Sequence, residues 1–172
     1  MKNNDLENNY YISINEFKNI SIDDISDLSI WQFHNKYIFL QTKTGLLVID
    51  QHNANERFKY EKIMDGIKRQ VKMQQNLLFP VELSLTTLQV KTIEELKTEL
   101  YSIGFDFTID GNNKLKILAI PEEMNIYDIE TNFMNIVDDY IYNNTVNYKS
   151  KYEKIVATIA CKSAVKAGEK LS

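Results

Sequence analysis

Leu46-Leu-Val-Ile-Asp-Gln-His-Asn-Ala-Asn-Glu-Arg-Phe-Lys-Tyr-Glu61 changes its hydrophobic period partway along, and that change decides the fold. Leu46 to Asp50 is an apolar, β-branched run, which predicts a strand and, because it is apolar throughout, a central one. From Asn53 to about Lys72, Phe58, Ile63, Ile67 and Val71 recur at three- to five-residue spacing, which predicts a helix. The junction carries Asp50, His52 and Glu56, the last two four positions apart and so on one helix face. An imidazole with two carboxylates at such a junction can nest a divalent metal, which polarises a phosphoryl oxygen and activates water. Acidic residues also favour a helix amino terminus on their own account, with His52 an ordinary surface residue. The H-x-x-x-E spacing leaves both readings open.

Working outward, Lys36-Tyr-Ile-Phe-Leu-Gln41 pairs with Leu46 to Asp50 as a hairpin across Thr-Lys-Thr-Gly, Gly45 supplying the turn. Structure begins near Trp31. His34, just before the first strand, has no acidic or thiol neighbours and receives no role. Pro80 stops helix and opens a short strand, Val81 to Leu85. A helix over 90–103 is followed by Gly104 where a left-handed cap belongs. Phe105 to Ile109 and Lys114 to Ile120 alternate around Asp-Gly-Asn-Asn as a second hairpin, and Pro121 ends the pairing. Helices over about 126–142 and 152–167 complete the chain. The order predicts an α+β fold in which a middle block is inserted between the two ends.

With 172 residues, 44% of them apolar, and only two prolines, the chain can bury roughly 70% of its unfolded surface, which excludes wholesale disorder. No apolar run reaches the roughly 18 residues of a membrane span, and the amino terminus has no apolar signal segment, so a soluble, unexported protein with no membrane partner is expected. A single cysteine, Cys161, excludes an internal disulfide and fits a reducing cytoplasm. The net charge of −4 lies wholly in residues 1–30, where Asp5, Glu7, Glu16, Asp23, Asp24 and Asp27 face only Lys2 and Lys18. These residues have no sustained period and read as a linker. Basic residues cluster from Arg57 to Lys72 and from Lys149 to Lys170; they suit phosphates, or the solvated faces of two helices.

Two further segments carry alternatives. Cys161, on the final helix, is either a small buried apolar residue or a thiolate ligand, and a site of imidazole, carboxylate and sulfur favours zinc over magnesium. Gln75-Asn-Leu-Leu-Phe-Pro80 can dock as an extended peptide, the Gln75 amide making hydrogen bonds and Leu77 and Leu78 filling apolar pockets. It can equally be a loop anchored by those leucines in the protein's own core.

Together, Gln32-Phe-His-Asn-Lys-Tyr-Ile38, Gly45-Leu-Leu-Val-Ile-Asp-Gln-His52, Glu56-Arg-Phe-Lys-Tyr-Glu61 and Ala160-Cys-Lys-Ser-Ala-Val-Lys-Ala-Gly168 resemble the carboxyl-terminal domain of the MutL family of DNA mismatch repair proteins. The resemblance covers about residues 30–172. Its most specific element is the family's nicking-endonuclease motif, D-Q-H-A-x-x-E-x-x-x-x-E, matched at Asp50, Gln51, His52, Glu56 and Glu61, with Asn53 in place of the alanine.

The resemblance implies metal-dependent nicking of the DNA strand to be repaired, with Asp50 and Glu56 catalytic. Asp50, His52, Glu56 and Cys161 would be ligands to zinc or manganese, and Gln51 and Glu61 supporting members of the motif. It implies that Gln75, Leu77, Leu78 and Pro80 bind the replication sliding clamp, and that Arg57, Lys59 and Lys62 steer DNA. The implied fold is a two-layer α/β sandwich dimerisation subdomain, residues 31–79 and 122–172, with a small α+β regulatory subdomain, 80–121, inserted. Residues 1–30 would be the remnant of an interdomain linker. The implied partners are a second copy, DNA, the clamp and, through the full-length protein, a MutS-type mismatch recognition protein, in a cytoplasmic, nucleoid-associated setting.

The family's C-P-H-G-R-P and F-x-R motifs do not occur in these 172 residues, nor does its ATP-binding amino-terminal domain. The chain is therefore expected to be a piece, inactive alone. The alternative from another class is a non-catalytic module for dimerisation and clamp binding.

Overall fold

The computed structural model describes residues 30–42, 45–142, 150–166 and 168–169. The linker expected over 1–30 therefore lies outside the described residues, apart from Ile30. The fold is α+β, as expected: the described residues form two antiparallel sheets and five α-helices.

The first sheet is a meander of β1 (Ile30–Phe33), β2 (Tyr37–Thr42) and β3 (Gly45–Asp50), in that order. β1 was not expected. Its turn is tight because His34 and Asn35 both take φ of 51° and Lys36 N–H donates to the Phe33 carbonyl at 3.1 Å. Two left-handed central residues match the twist of the strands they join, and this is what His34 does. β3 is not central, as its composition suggested, but an edge strand. Leu46 and Val48 are about half exposed, together with Trp31 and Phe33 on the same face. Phe39, stacked on Trp31 at 5.7 Å and edge-on to Phe33 at 5.4 Å, lies among them.

Helix α1 (Gln51–Lys68) starts two residues earlier than its apolar spacing suggests and stops four earlier. The start is set by Asp50, whose carboxylate accepts from Asn53 N–H at 3.0 Å. The stop is set by Gln70 at φ 56°. β4 (Gln74–Ser84) then runs straight through Pro80, which was expected to open the strand. β4 is at the edge of the second sheet, order β4-β6-β5, and its register slips between Asn76 and Val81, so Pro80 sits where no ladder hydrogen bond is required. The boundary expected at residue 80 consequently falls inside a strand.

Residues 74–121 supply that whole sheet together with α2 (Thr87–Glu95) and α3 (Lys97–Ile103). The single helix expected over 90–103 begins instead at a Thr86/Gln89 capping box and is broken at Leu96. Gly104, at φ +122°, ends it as expected; a Cβ there would stand 2.5 Å from the Met73 carbonyl oxygen. β5 (Asp106–Ile109) and β6 (Lys114–Pro121) form the second hairpin, its turn held by Asp110 accepting from Asn112 and Lys114 N–H.

After a single 3₁₀ turn, α4 (Ile129–Tyr142) and α5 (Lys151–Ser163) close the fold, α5 ending four residues short of its expected limit. The core joins α2, α3, α4 and α5 to the second sheet around Phe105, Phe107 and Phe133, and reaches α1 through Ile63. Phe133 meets Phe105 edge-on at 5.2 Å. α1 packs along α5, and it is this pairing that builds the site.

Candidate functional site

The first two turns of α1 project Gln51, His52, Asn55 and Glu56 from one strand-to-helix junction. His52 Nε2 lies 3.8 Å from Glu56 Oε2. This is close to the separation of two ligands sharing one ion through bonds of about 2 Å. The other ring nitrogen, Nδ1, lies 3.0 Å from the carbonyl oxygen of Val165, just beyond α5. An imidazole fixed at one nitrogen by a carbonyl and left open at the other is the arrangement metal-binding histidines adopt. The His52–Glu56 pair therefore suits a divalent ion. Asp50 turns one carboxylate oxygen to the helix cap, and Cys161 is exposed on α5. Among the described residues, no three of His, Cys, Asp and Glu stand close enough together to hold a metal.

An open cleft of about 310 Å³ adjoins Glu56, lined also by Asn53, Arg57, Tyr60 and Ala157. Cys161 is one helical turn beyond Ala157 and on the same face of α5. Gln51 is 2% exposed; its side-chain oxygen accepts from Gln32 and its amide donates to the Glu169 carbonyl at 3.0 Å. Glu61 forms an ion pair with Arg57, whose guanidinium also lies over the Tyr60 ring.

Two further basic residues of this helix, Lys59 and Lys62, have internal partners. Lys59 donates to the carbonyls of Ser163 and Glu123, and Lys62 binds the Glu123 carboxylate at 2.5 Å. Burial lowers the Lys59 pKa, opposed by Glu123; the hydrogen bond that Lys62 donates to Glu123 raises that of Lys62.

A model of the family described as "MutL C terminal dimerisation domain" matches residues 30–171. The chain belongs to this family. It is 34% identical over 143 residues to the DNA mismatch repair protein MutL of Pelodictyon phaeoclathratiforme, a match covering 83% of the chain and 23% of that protein. The corresponding protein of Chlorobium phaeovibrioides is 32% identical over 150 residues, 87% of the chain and 24% of the relative. That of Prosthecochloris aestuarii is 35% identical over 147 residues, 86% of the chain and 24% of the relative. The chain thus spans about a quarter of the length of the MutL proteins it matches.

The segment expected from the sequence to bind a clamp, Gln75 to Pro80, is part of β4. Gln75 does not project: its amide donates to the carbonyls of Pro121 and Met124, at 3.2 and 2.9 Å. Leu77 packs against the core. Between the paired residues Asn76 and Val81 the strand bulges away from β6, leaving Leu78 87% and Phe79 79% exposed, with Pro80 exposed beside them. Phe79 had no assigned part in the sequence reading, and neither did Asn55. A signal for Asn55 existed: asparagine is a poor helix former, so its place inside the second turn of a helix asks for a partner.

Proposed function

We propose that this chain serves DNA mismatch repair as the dimerising and strand-nicking part of a MutL-type protein. The observation that carries the nicking reading is the His52–Glu56 pair, 3.8 Å apart, with the far side of the imidazole fixed by Val165. His52 and Glu56 would hold Zn²⁺ or Mn²⁺, Asp50 and Cys161 being the further donors that the resemblance to the family assigns. When bound, such an ion supplies Lewis acidity toward a phosphodiester. The chain's own residues do the rest. Glu56 and Arg57 border the cleft in which a phosphodiester is received, and Glu61 holds Arg57 at its rim. Gln51 ties the junction to β1 and to the segment beyond α5. The amino-terminal domain expected of the whole protein would bring ATP, and through it a MutS-type partner.

The test is calorimetric titration of Zn²⁺ and Mn²⁺ into the chain and into His52→Ala and Glu56→Gln. Plasmid nicking by the full-length protein with the same changes forms the second arm. Unchanged metal affinity in both variants would overturn the assignment.

Homodimerisation is supported by the first sheet. Trp31, Phe33, Leu46 and Val48 show roughly half their surface on one face. An apolar face of this kind is what a second copy covers. Trp31→Glu with Val48→Lys should give a monomer by sedimentation.

A second reading, a non-catalytic module that dimerises and binds a sliding clamp, is favoured by the exposed Leu78 and Phe79. They form an apolar tip on an edge strand, suited to an apolar pocket on a partner. Clamp binding that persists in chelator with Glu56→Gln, and is lost with Leu78→Ser and Phe79→Ser, would separate this reading from the nuclease.

A further inference from the structure

Behind His52 the chain builds a support. After α5 the backbone becomes extended at Ala164, and Val165 passes between two side chains of α1. Its N–H donates to Asn55 Oδ1 at 3.0 Å, and its carbonyl oxygen meets His52 Nδ1 at 3.0 Å. Gly168 and Glu169 are pinned as well. Gly168 N–H donates to the Asn35 carbonyl, the Asn35 amide donates to the Gly168 carbonyl, and Gln51 holds Glu169.

A carbonyl oxygen can only accept, so the contact with Val165 requires the proton of His52 to be on Nδ1. In the neutral ring Nε2, the nitrogen facing Glu56, then carries the lone pair. We infer that Asn55 is a positioning residue for His52: by holding the Val165 peptide it selects the Nδ1–H tautomer and aims Nε2 at Glu56. Asn55 thus touches neither metal nor substrate; it acts through one peptide unit. The bearing of this on metal binding rests on the nuclease reading above, whereas the choice of tautomer does not.

The experiment is long-range ¹⁵N–¹H correlation of the labelled chain at about pH 8, where imidazole is neutral. His34→Gln identifies the His52 signals. Wild type should show His52 protonated on Nδ1. Asn55→Leu should move it toward the Nε2–H form, and Asn55→Asp, which keeps an acceptor oxygen, should restore the wild-type pattern. His52 protonated on Nε2 in wild type, or an unchanged pattern in Asn55→Leu, would overturn the inference. Should Asn55→Leu not fold, the wild-type and Asn55→Asp spectra decide.

Zn²⁺ titration followed on the same signals separates the two claims. Loss of a supporting partner should weaken Zn²⁺ binding about tenfold or more in Asn55→Leu. His52 signals that respond to Asn55→Leu but ignore Zn²⁺ would uphold the positioning role and overturn the metal reading. Signals that respond to Zn²⁺ but not to Asn55→Leu would overturn the positioning role alone.

Discussion

The Lys59 ammonium nitrogen lies 2.6 Å from the carbonyl oxygen of Ser163, the last residue of α5. A cation there satisfies an orphan carbonyl at the negative end of a helix dipole and ties α1 to the turn at Glu123. Lys59→Met keeps the aliphatic stem and removes the charge. It should cost about 1–2 kcal/mol by urea unfolding. If the chain binds DNA as proposed, the salt dependence of that binding should not change, because this lysine is turned inward and is not offered to phosphates.

Lys62 gives a pH-dependent prediction. Glu123 raises its folded pKa above the ordinary 10.5, so the stabilisation is fully present below that value and is lost as pH rises through the folded pKa. The gap in melting temperature between wild type and Glu123→Gln should be flat through neutral pH and narrow above 10.5. A gap that widens there would contradict the assignment.

Phe133 is fully buried between Phe105 and Phe107. Phe133→Ala should destabilise by about 3–5 kcal/mol in chemical unfolding, since rigid rings on both sides limit collapse into the space.

Gly104→Ala combines two penalties, a left-handed φ of +122° and a Cβ 2.5 Å from the Met73 carbonyl oxygen. A loss of about 1–3 kcal/mol is expected, with the α3–β5 junction showing faster amide exchange.

Leu78→Ser and Phe79→Ser should leave stability within about 0.5 kcal/mol, because both side chains are already in solvent. If these residues bind a sliding clamp, surface-immobilised clamp should lose this chain upon the same double change.

The strongly periodic elements were legible in the sequence. The hairpin around Asp110 to Asn113, the Gly104 cap and the helix after Asp50 follow from turn chemistry and local spacing. What was not legible depends on residues far apart in the chain. β1 is defined by pairing Trp31 with Phe39, not by its own four residues. β4 passes Pro80 because a slipped register at a sheet edge tolerates a missing N–H. The proximity of His52 and Glu56 follows from helix spacing, but the support behind His52 comes from Val165, more than a hundred positions away. Lys59 and Lys62 looked free for DNA because composition cannot tell that Glu123 and the end of α5 would face them.

The half-exposed face of the first sheet has a thermodynamic consequence. Among the described residues of that sheet only Leu40 is buried, so β1 to β3 have little core of their own. If a second copy covers that face, the order of these strands becomes subject to mass action, firmer as protein concentration rises and looser on dilution. The junction at Asp50 continues directly from β3. The geometry around His52 would then vary with how much of the protein is present, which couples local order at the site to the abundance of the chain itself.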